Sequence, residues 1–187
     1  MLKQIYLKIL HYIFSKIIPK YKIRLMKVIE VVDGDTIKVY DLLDNKIKTI
    51  RLVGVDAPEK TAIANNPFEY DNIIDLEYLA MWGKIATKYV KSRLKNKYIF
   101  IEFDELAGFK DRYGRLLAYV YVNGTDFNAE LVKLGLARVY VEGKFKKKSY
   151  YLKLEKEAKR ECRGVWSALC FPFIFIKNKN KKIIKFL

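Results

Sequence analysis

Two segments that carry carboxylates are the first candidates for chemistry. Residues 31–39 (VVDGDTIKV) place Asp35 where a tight Asp-Gly turn leads into a strand, and residues 50–59 (IRLVGVDAPE) form a hydrophobic strand that ends at Asp56. If these strands are neighbours, both carboxylates reach one point, where they repel each other unless a cation lies between them. Two Asp oxygens, a backbone carbonyl and water make a hard-oxygen site that suits calcium. The alternative is a polar turn that holds no metal.

Two arginines are placed to bind a phosphate beside these acids. Arg51 stands inside a hydrophobic strand, where a charged side chain is unexpected unless it has partners or a function. Arg115 is the last charged residue in residues 109–122 (FKDRYGRLLAYVYV). A planar guanidinium binds a phosphate through two hydrogen bonds, and the chain uses only eight Arg beside 29 Lys. A solvated loop residue is the alternative for Arg115. With Glu59 to orient or deprotonate a water, these residues form a set that can cleave a phosphodiester.

Scarce residue types exclude several other chemistries. The only histidine, His11, lies in the N-terminal segment, which argues against Ser-His-Asp and Cys-His catalysis and against a His-ligated zinc. The two cysteines, Cys162 and Cys170, fit no zinc spacing. We interpret them as buried apolar thiols rather than as a bridge. Carboxylates, arginines, tyrosines and a hard metal remain as the catalytic groups.

The excess of positive charge is concentrated at the two ends of the chain. The 187 residues carry 37 Lys and Arg against 21 Asp and Glu, a net charge of +16. Residues 1–27 and 171–187 supply twelve of these charges and contain no acid, which leaves +4 for residues 28–170. A basic protein of this kind favours polyanions, either nucleic acid or an anionic membrane surface.

The elements that must position the candidate residues follow from hydrophobic periodicity. From Arg24 onward, alternation predicts a three-stranded meander as far as Val55, and spacings of three and four predict a helix over residues 76–94. Two strands, 98–103 and 116–122, and helices at about 127–134 and 149–162 follow. This order predicts an α+β fold, mainly β: a five-stranded OB-fold barrel with about three helices.

The two ends of the chain are predicted to be appendages of this domain. We divide the chain into an amphipathic, basic N-terminal segment (1–22), the barrel domain (23–168) and a basic, apolar C-terminal tail (169–187). The first is either an interfacial membrane anchor or a helix packed on the domain, and the last is an anchor, an extra edge strand or a solvated tail. The N-terminal segment favours membrane association or export over the cytoplasm, and the compartment stays open. We expect a monomer.

Five ordered sequence blocks resemble the staphylococcal nuclease (thermonuclease) family. They are DGDT (33–36), RLVGVDAPE (51–59), DRYGRLLAYVYV (111–122), NAELVKLGLARVY (128–140) and GVWS (164–167). The resemblance implies an OB-fold and a calcium-dependent, sugar-nonspecific nuclease. Its substrates would be single-stranded and duplex DNA and RNA, which it would cleave to leave 3′-phosphates.

The resemblance also assigns roles to individual residues. It implies that one Ca²⁺ is bound by Asp35, Asp56 and the backbone carbonyl of Ala57, with Mg²⁺ and Mn²⁺ left open as substitutes. It assigns the catalytic roles to Arg51, Glu59 and Arg115, and a ring in the nucleotide pocket to Tyr113.

Two departures from the family pattern are visible. Ala57 replaces a hydroxyl residue of the best-known member, which a carbonyl ligand tolerates. Residues 60–82 are longer than in that member and acidic, so we expect them to repel a polyanion and either to alter substrate choice or to gate access to the site. The alternative function is a nucleic-acid-binding module that uses the same barrel without chemistry, although such modules usually lose the acids and arginines retained here.

Overall fold

The computed structural model describes Ile5 and residues 23–170. The strands are β1 (Ile23–Val31), β2 (Thr36–Asp41), β3 (Lys46–Leu52), β4 (Val55–Asp56), β5 (Tyr98–Phe103), β6 (Leu116–Val122), β7 (Thr125–Asp126) and β8 (Arg138–Val139). The helices are α1 (Leu76–Leu94), α2 (Phe127–Lys133), α3 (Lys148–Arg160) and the one-turn α4 (Ser167–Cys170), with 3-10 turns at Ala62–Ala64 and Gly164–Trp166.

Five long strands close into the barrel that the sequence predicts. Antiparallel pairing runs in the order β3-β2-β1-β5-β6, and the short β7 extends β6. A parallel pairing between β3 and β6 closes the ring. Because closure removes the free edges of these strands, every strand of the barrel gains a partner on both sides. The predicted OB-fold of α+β class is confirmed.

The barrel interior is apolar and is covered at one end by helix α1. Alternate strand residues such as Val28, Ile50 and Val120 are fully buried, as the period of two requires. Ala86 and Val90 of α1 join the same cluster, since they lie one turn apart on its inner face. The helix begins at Asp75, whose carboxylate accepts hydrogen bonds from the first backbone amides.

A second, smaller apolar cluster ties the segment before α1 to the end of the described chain. Its buried members are Tyr70, Ile73, Tyr78, Leu79, Ala158, Val165 and Trp166. The rings of Tyr70 and Trp166 lie 5.5 Å apart, and the Tyr78 hydroxyl donates to the carbonyl of Val165 at 2.9 Å. Residues 70–79 are thus packed against residues 158–166.

The sequence predicts one continuous third strand, but the structure divides it into β3 and β4. β3 ends at Leu52, and the chain turns at Gly54, whose φ is +76°, before β4 begins at Val55. A Cβ at Gly54 would also lie 2.5 Å from the Phe145 ring. The turn therefore requires glycine, and it redirects Asp56 out of the barrel sheet to pair with β8.

The interpretation of the cysteines as free buried thiols is wrong. Cys162 and Cys170 form a disulfide, with their Cα atoms 6.0 Å apart. The bridge becomes possible because the chain turns twice within eight residues: Cys162 follows the end of α3 with φ of +55°, and the 3-10 turn at Gly164–Trp166 folds the chain back. Spacing alone does not reveal such a reversal.

The predictions for the N-terminal segment and for the tail fall outside the described residues, apart from Ile5, Leu169 and Cys170. In the part of the chain that is described, none of the helices has the length and hydrophobicity needed to cross a bilayer.

Asp41→Asn is expected to lower the free energy of unfolding by about 2 kcal/mol at pH 7. The Asp41 carboxylate is fully buried and pairs with Arg24 at 3.0 Å and Lys48 at 2.7 Å. Desolvation by burial raises its pKa, but the hydrogen bonds from Lys48 and the Leu43 amide and the nearby positive charges outweigh that and lower it. Thermal unfolding of both proteins measures the difference.

The ion pairs of Asp41 also predict that the free energy of unfolding depends on pH. A carboxylate whose folded pKa is lowered stabilises the protein above its unfolded pKa of about 4 and loses that contribution as the pH falls through the folded value. The stability gap between wild type and Asp41→Asn should therefore narrow below about pH 4. Asp44→Asn, which removes a more exposed partner of the same cations, should cost less than about 1 kcal/mol. An equal loss in the two variants would contradict the assignment.

Candidate active site

Barrel closure brings the predicted site residues together around β3. Arg51 pairs across the sheet with Thr36 of β2 on one side and with Leu117 of β6 on the other. Asp35 immediately precedes Thr36, and Arg115 lies two residues before Leu117. Residues that are far apart along the chain therefore meet because β3 pairs with both strands.

The Arg51 guanidinium lies between the two predicted ligand carboxylates. Its Nη1 is 2.6 Å from Asp35 Oδ2, and its Nη2 donates to Asp56 Oδ1 at 2.6 Å. A further hydrogen bond from Nη1 to the Val55 carbonyl fixes the plane of the group. The two acids thus share one cationic partner, and the two hydrogen bonds use two of the five guanidinium N–H groups.

Asp35 is the most buried acid of the site. Its Oδ2 accepts from the Ala57 amide at 2.8 Å, and its Oδ1 accepts from the Thr36 hydroxyl at 3.0 Å. Desolvation by burial raises the pKa of Asp35 to about 7, because the charge of Arg51 offsets only part of it and Asp33 and Asp56 add repulsion. Burial therefore has the largest effect on the pKa of this carboxylate.

The donor set of this site fits a hard divalent cation. Within residues 23–170, no group of three or more acidic, His or Cys side chains gathers at one point, so the protein ligands would be the two carboxylates and neutral oxygens. Ala57 lies directly beside Asp35, as its amide hydrogen bond shows, which places its backbone next to both predicted ligands. A cation here would add to the positive charge that Arg51 places beside the buried Asp35. Oxygen donors of this kind suit calcium.

Arg115 is linked to the same site through a hydroxyl. Its Nε pairs with Asp111 Oδ2 at 2.6 Å, and its Nη1 lies 3.4 Å from the Thr36 hydroxyl, which bonds Asp35. The side chain stays about 30% exposed. Its guanidinium is therefore oriented by Asp111 and open to a ligand from solvent.

Tyr113 lies at the rim of the site rather than within it. Its side chain is exposed, and its ring lies 4.8 Å from the guanidinium carbon of Arg112 and 5.4 Å from that of Arg115. None of the contacts in the described chain joins its ring to Asp35 or Asp56. An exposed ring between two guanidinium groups suits stacking on a base or sugar.

Glu59 has an exposed carboxylate on a backbone that is firmly held. The buried Asn65 side chain accepts from the Glu59 amide at 2.8 Å and donates to its carbonyl at 3.0 Å. In residues 23–170, no hydrogen bond or ion pair engages the carboxylate itself. Burial raises the pKa of Glu59, Asp33 and Asp56 raise it further, and Arg51 lowers it. The group is placed to accept a proton from a water molecule.

Helix α1 packs directly against the backbone of the Glu59 segment because its residue 83 is glycine and has no side chain. A Cβ on Gly83 would lie 2.4 Å from the carbonyl oxygens of both Pro58 and Glu59. The helix thus approaches the backbone of the site more closely than any other residue would permit.

Several residues that hold the site were not identified from the sequence. Tyr70 donates a hydrogen bond to the Asp56 carbonyl at 2.6 Å, and Arg138 Nη2 lies 2.8 Å from Asp56 Oδ2. Thr36 and Asn65, described above, also belong to this group. Arg138 could have been identified from the sequence, because it stands in an apolar stretch, LARVY, just as Arg51 stands in an apolar strand.

The acidic segment before α1 is less repulsive than the sequence predicts. Asp71 pairs with Lys159 at 3.0 Å, and Glu69 pairs with Arg138 at 3.3 Å. Asp75 caps α1. All three acids of the segment therefore have partners within the protein, which reduces the charge that would oppose a polyanion.

Comparison with known proteins identifies relatives of this chain. Residues 49–168 match the family model described as staphylococcal nuclease homologue. The chain is similar to an uncharacterized protein of Methanocaldococcus jannaschii, with 44% identity over 150 residues, 75% of this chain and 70% of that protein. It is also similar to the thermonuclease of Staphylococcus hyicus, with 37% identity over 142 residues and 75% of each chain covered.

A third relative is an endonuclease of Bacillus subtilis, 38% identical over 138 residues, which are 73% of this chain and 58% of that protein. The matched region begins within β3 and ends within α4, so it contains Arg51, Asp56, Glu59 and Arg115, whereas Asp35 lies before it. The chain is a member of the staphylococcal nuclease family.

Proposed function

We propose that this protein is a calcium-dependent, sugar-nonspecific nuclease that hydrolyses phosphodiester bonds of DNA and RNA and leaves 3′-phosphates. The observation that carries the proposal is the grouping of Asp35, Arg51 and Asp56 within ion-pair distance, with Arg115 linked to Asp35 through the Thr36 hydroxyl. Relatives named thermonuclease and endonuclease support it. A site built around groups that bind phosphate places no requirement on the sugar.

Each residue has a separate task in this proposal. Asp35, Asp56 and the Ala57 carbonyl would hold the cation, which when bound supplies Lewis-acid stabilisation of a phosphate oxygen. Arg51 and Arg115 bind phosphate oxygens with the N–H groups that their acidic partners leave open, and they stabilise the charge that builds on phosphorus.

Glu59 completes the proposal as the group that activates water. Its exposed carboxylate orients a water molecule and takes one of its protons as the oxygen attacks phosphorus. The bond from phosphorus to the 5′ oxygen breaks and that oxygen takes a proton from solvent, so one product carries a 3′-phosphate and the other a 5′-hydroxyl. The raised pKa of Glu59 makes it a better proton acceptor than an ordinary surface carboxylate while it is ionised.

The deciding experiment incubates the purified protein with single-stranded DNA, duplex DNA and RNA in calcium, magnesium or manganese. We expect cleavage of all three substrates in calcium, 3′-phosphate ends on the products, and loss of cleavage when a chelator removes the ion. Glu59→Gln, which keeps the shape of the side chain, should lower the rate about a hundredfold or more and serves as the control against a contaminating nuclease. Binding of single strands without products would favour the non-catalytic module instead.

A further inference from the structure

Asp56 is held by more than its pairing with Arg51. While Arg51 bonds Oδ1, the second oxygen, Oδ2, lies 2.8 Å from Arg138 Nη2. The backbone carbonyl of the same residue accepts the hydrogen bond from Tyr70 at 2.6 Å. Neither Tyr70 nor Arg138 has a task in the proposed reaction, and both are buried, with 1% and 8% of their surface exposed.

We propose that Tyr70 and Arg138 are positioning residues that fix the direction of the Asp56 carboxylate, and that this is the purpose of the segment before α1. The inference rests on the proposed function, since it concerns how one predicted cation ligand is oriented. It assigns to residues 60–75 a supporting role in the site in place of a repulsive one.

Arg138 is itself fixed from several sides. It lies directly opposite Asp56 in the β4–β8 pairing, so its side chain starts from a defined register. Its guanidinium pairs with Glu69 at 3.3 Å and with Glu142 at 3.1 Å, and the rings of Tyr70 and Tyr140 lie 6.0 Å from its guanidinium carbon. Because two other acids and two rings hold the Arg138 guanidinium in place, it is suited to fixing the Asp56 carboxylate rather than to moving with a substrate.

Tyr70 is fixed by the second apolar cluster. Its ring packs 5.5 Å from that of Trp166, and its hydroxyl has the Asp56 carbonyl as its acceptor. The neighbouring Glu69 pairs with Arg138, so consecutive residues of the segment support both the backbone and the side chain of Asp56. Groups behind a metal ligand that fix its orientation typically change metal affinity or activity ten- to a hundredfold when they are lost.

The test compares the hydroxyls of two tyrosines that belong to the same apolar cluster. Tyr70→Phe removes only the hydrogen bond to Asp56 and keeps the ring in its cluster. Tyr78→Phe is the matched control, because its buried hydroxyl bonds Val165 and Ser167, away from Asp56. Calcium affinity is measured by isothermal titration calorimetry and by the calcium-dependent rise in Tm, and kcat and KM are measured on a short oligonucleotide.

We expect Tyr70→Phe to weaken calcium binding and to lower kcat by about tenfold each, with KM changed less than about twofold. Tyr78→Phe should lower Tm at least as much, since it loses more hydrogen bonds, but should keep the calcium affinity and kcat of the wild type. Arg138→Lys keeps the charge but not the planar fork, so it should reproduce the losses seen in Tyr70→Phe.

The outcomes separate this inference from the proposed function. If wild type binds calcium and cleaves nucleic acid but Tyr70→Phe behaves as Tyr78→Phe does, the positioning role is refuted and the nuclease stands. If wild type cleaves nothing but binds calcium, the nuclease proposal fails and the calcium titrations of the three variants alone decide the inference. If wild type does neither, both proposals fall.

Discussion

Arg51→Lys is expected to lower the rate of nucleic acid cleavage about a hundredfold or more, close to 3 kcal/mol of activation free energy. Lysine keeps the positive charge but offers a single nitrogen. Arg51 bonds Asp56 through Nη2, whereas its Nη1 bonds the Val55 carbonyl and approaches Asp35. One ammonium cannot keep both acids in place and still bind a phosphate.

Initial rates on a labelled oligonucleotide measure the effect, and thermal unfolding checks that the variant is folded. Arg93→Lys is the matched control, because Arg93 pairs with Glu130 on the surface at 3.0 Å and, among the described residues, has no ion pair or hydrogen bond with the site. Its rate should stay within about twofold of wild type. An Arg51→Lys protein that is folded and as active as wild type would remove Arg51 from the mechanism.

Gly83→Ala should destabilise the protein and reduce its activity, although alanine normally stabilises a helix interior by about 1 kcal/mol relative to glycine. The new methyl group would meet the Pro58 and Glu59 carbonyl oxygens at 2.4 Å. Either α1 or the Glu59 segment must move. We expect a loss of about 2 kcal/mol in the free energy of unfolding and at least a tenfold fall in kcat, because small displacements of a reacting group are costly.

Chemical denaturation and steady-state kinetics measure the two effects. Lys84→Ala changes the next residue, which is exposed, and is the control for an alanine substitution in α1. It should change neither the free energy of unfolding nor kcat by much. A Gly83→Ala protein with raised stability and full activity would show that the close contact between α1 and the Glu59 segment does not set the site.

The barrel and the core of the site are predictable because local patterns specify them. Alternation of apolar residues marks each long strand, and the turn at residues 33–36 fixes where β2 begins. An arginine inside an apolar strand indicates a buried charge with partners, and Arg51 has two of them, Asp35 and Asp56. These features depend on neighbours in sequence or on one strand pairing.

The residues that support the site are not predictable in the same way. Tyr70 reaches Asp56 only because the segment before α1 folds back onto the second apolar cluster, a contact that no local pattern encodes. The acidic character of that segment suggested repulsion, since the sequence does not show that Arg138 and Lys159 lie opposite its acids. The disulfide escaped prediction for the same reason: it depends on a chain reversal between its two cysteines.

The second apolar cluster has a consequence for how the protein opens. Its members come from the segment that supports Asp56, from α1 and α3, and from the last described turn of the chain. Elements that share one buried cluster gain and lose their protection from solvent exchange as a single cooperative unit. Loss of packing at the 3-10 turn that holds Trp166 is therefore expected to expose Tyr70 as well, so residues 164–166 help to keep Asp56 in place.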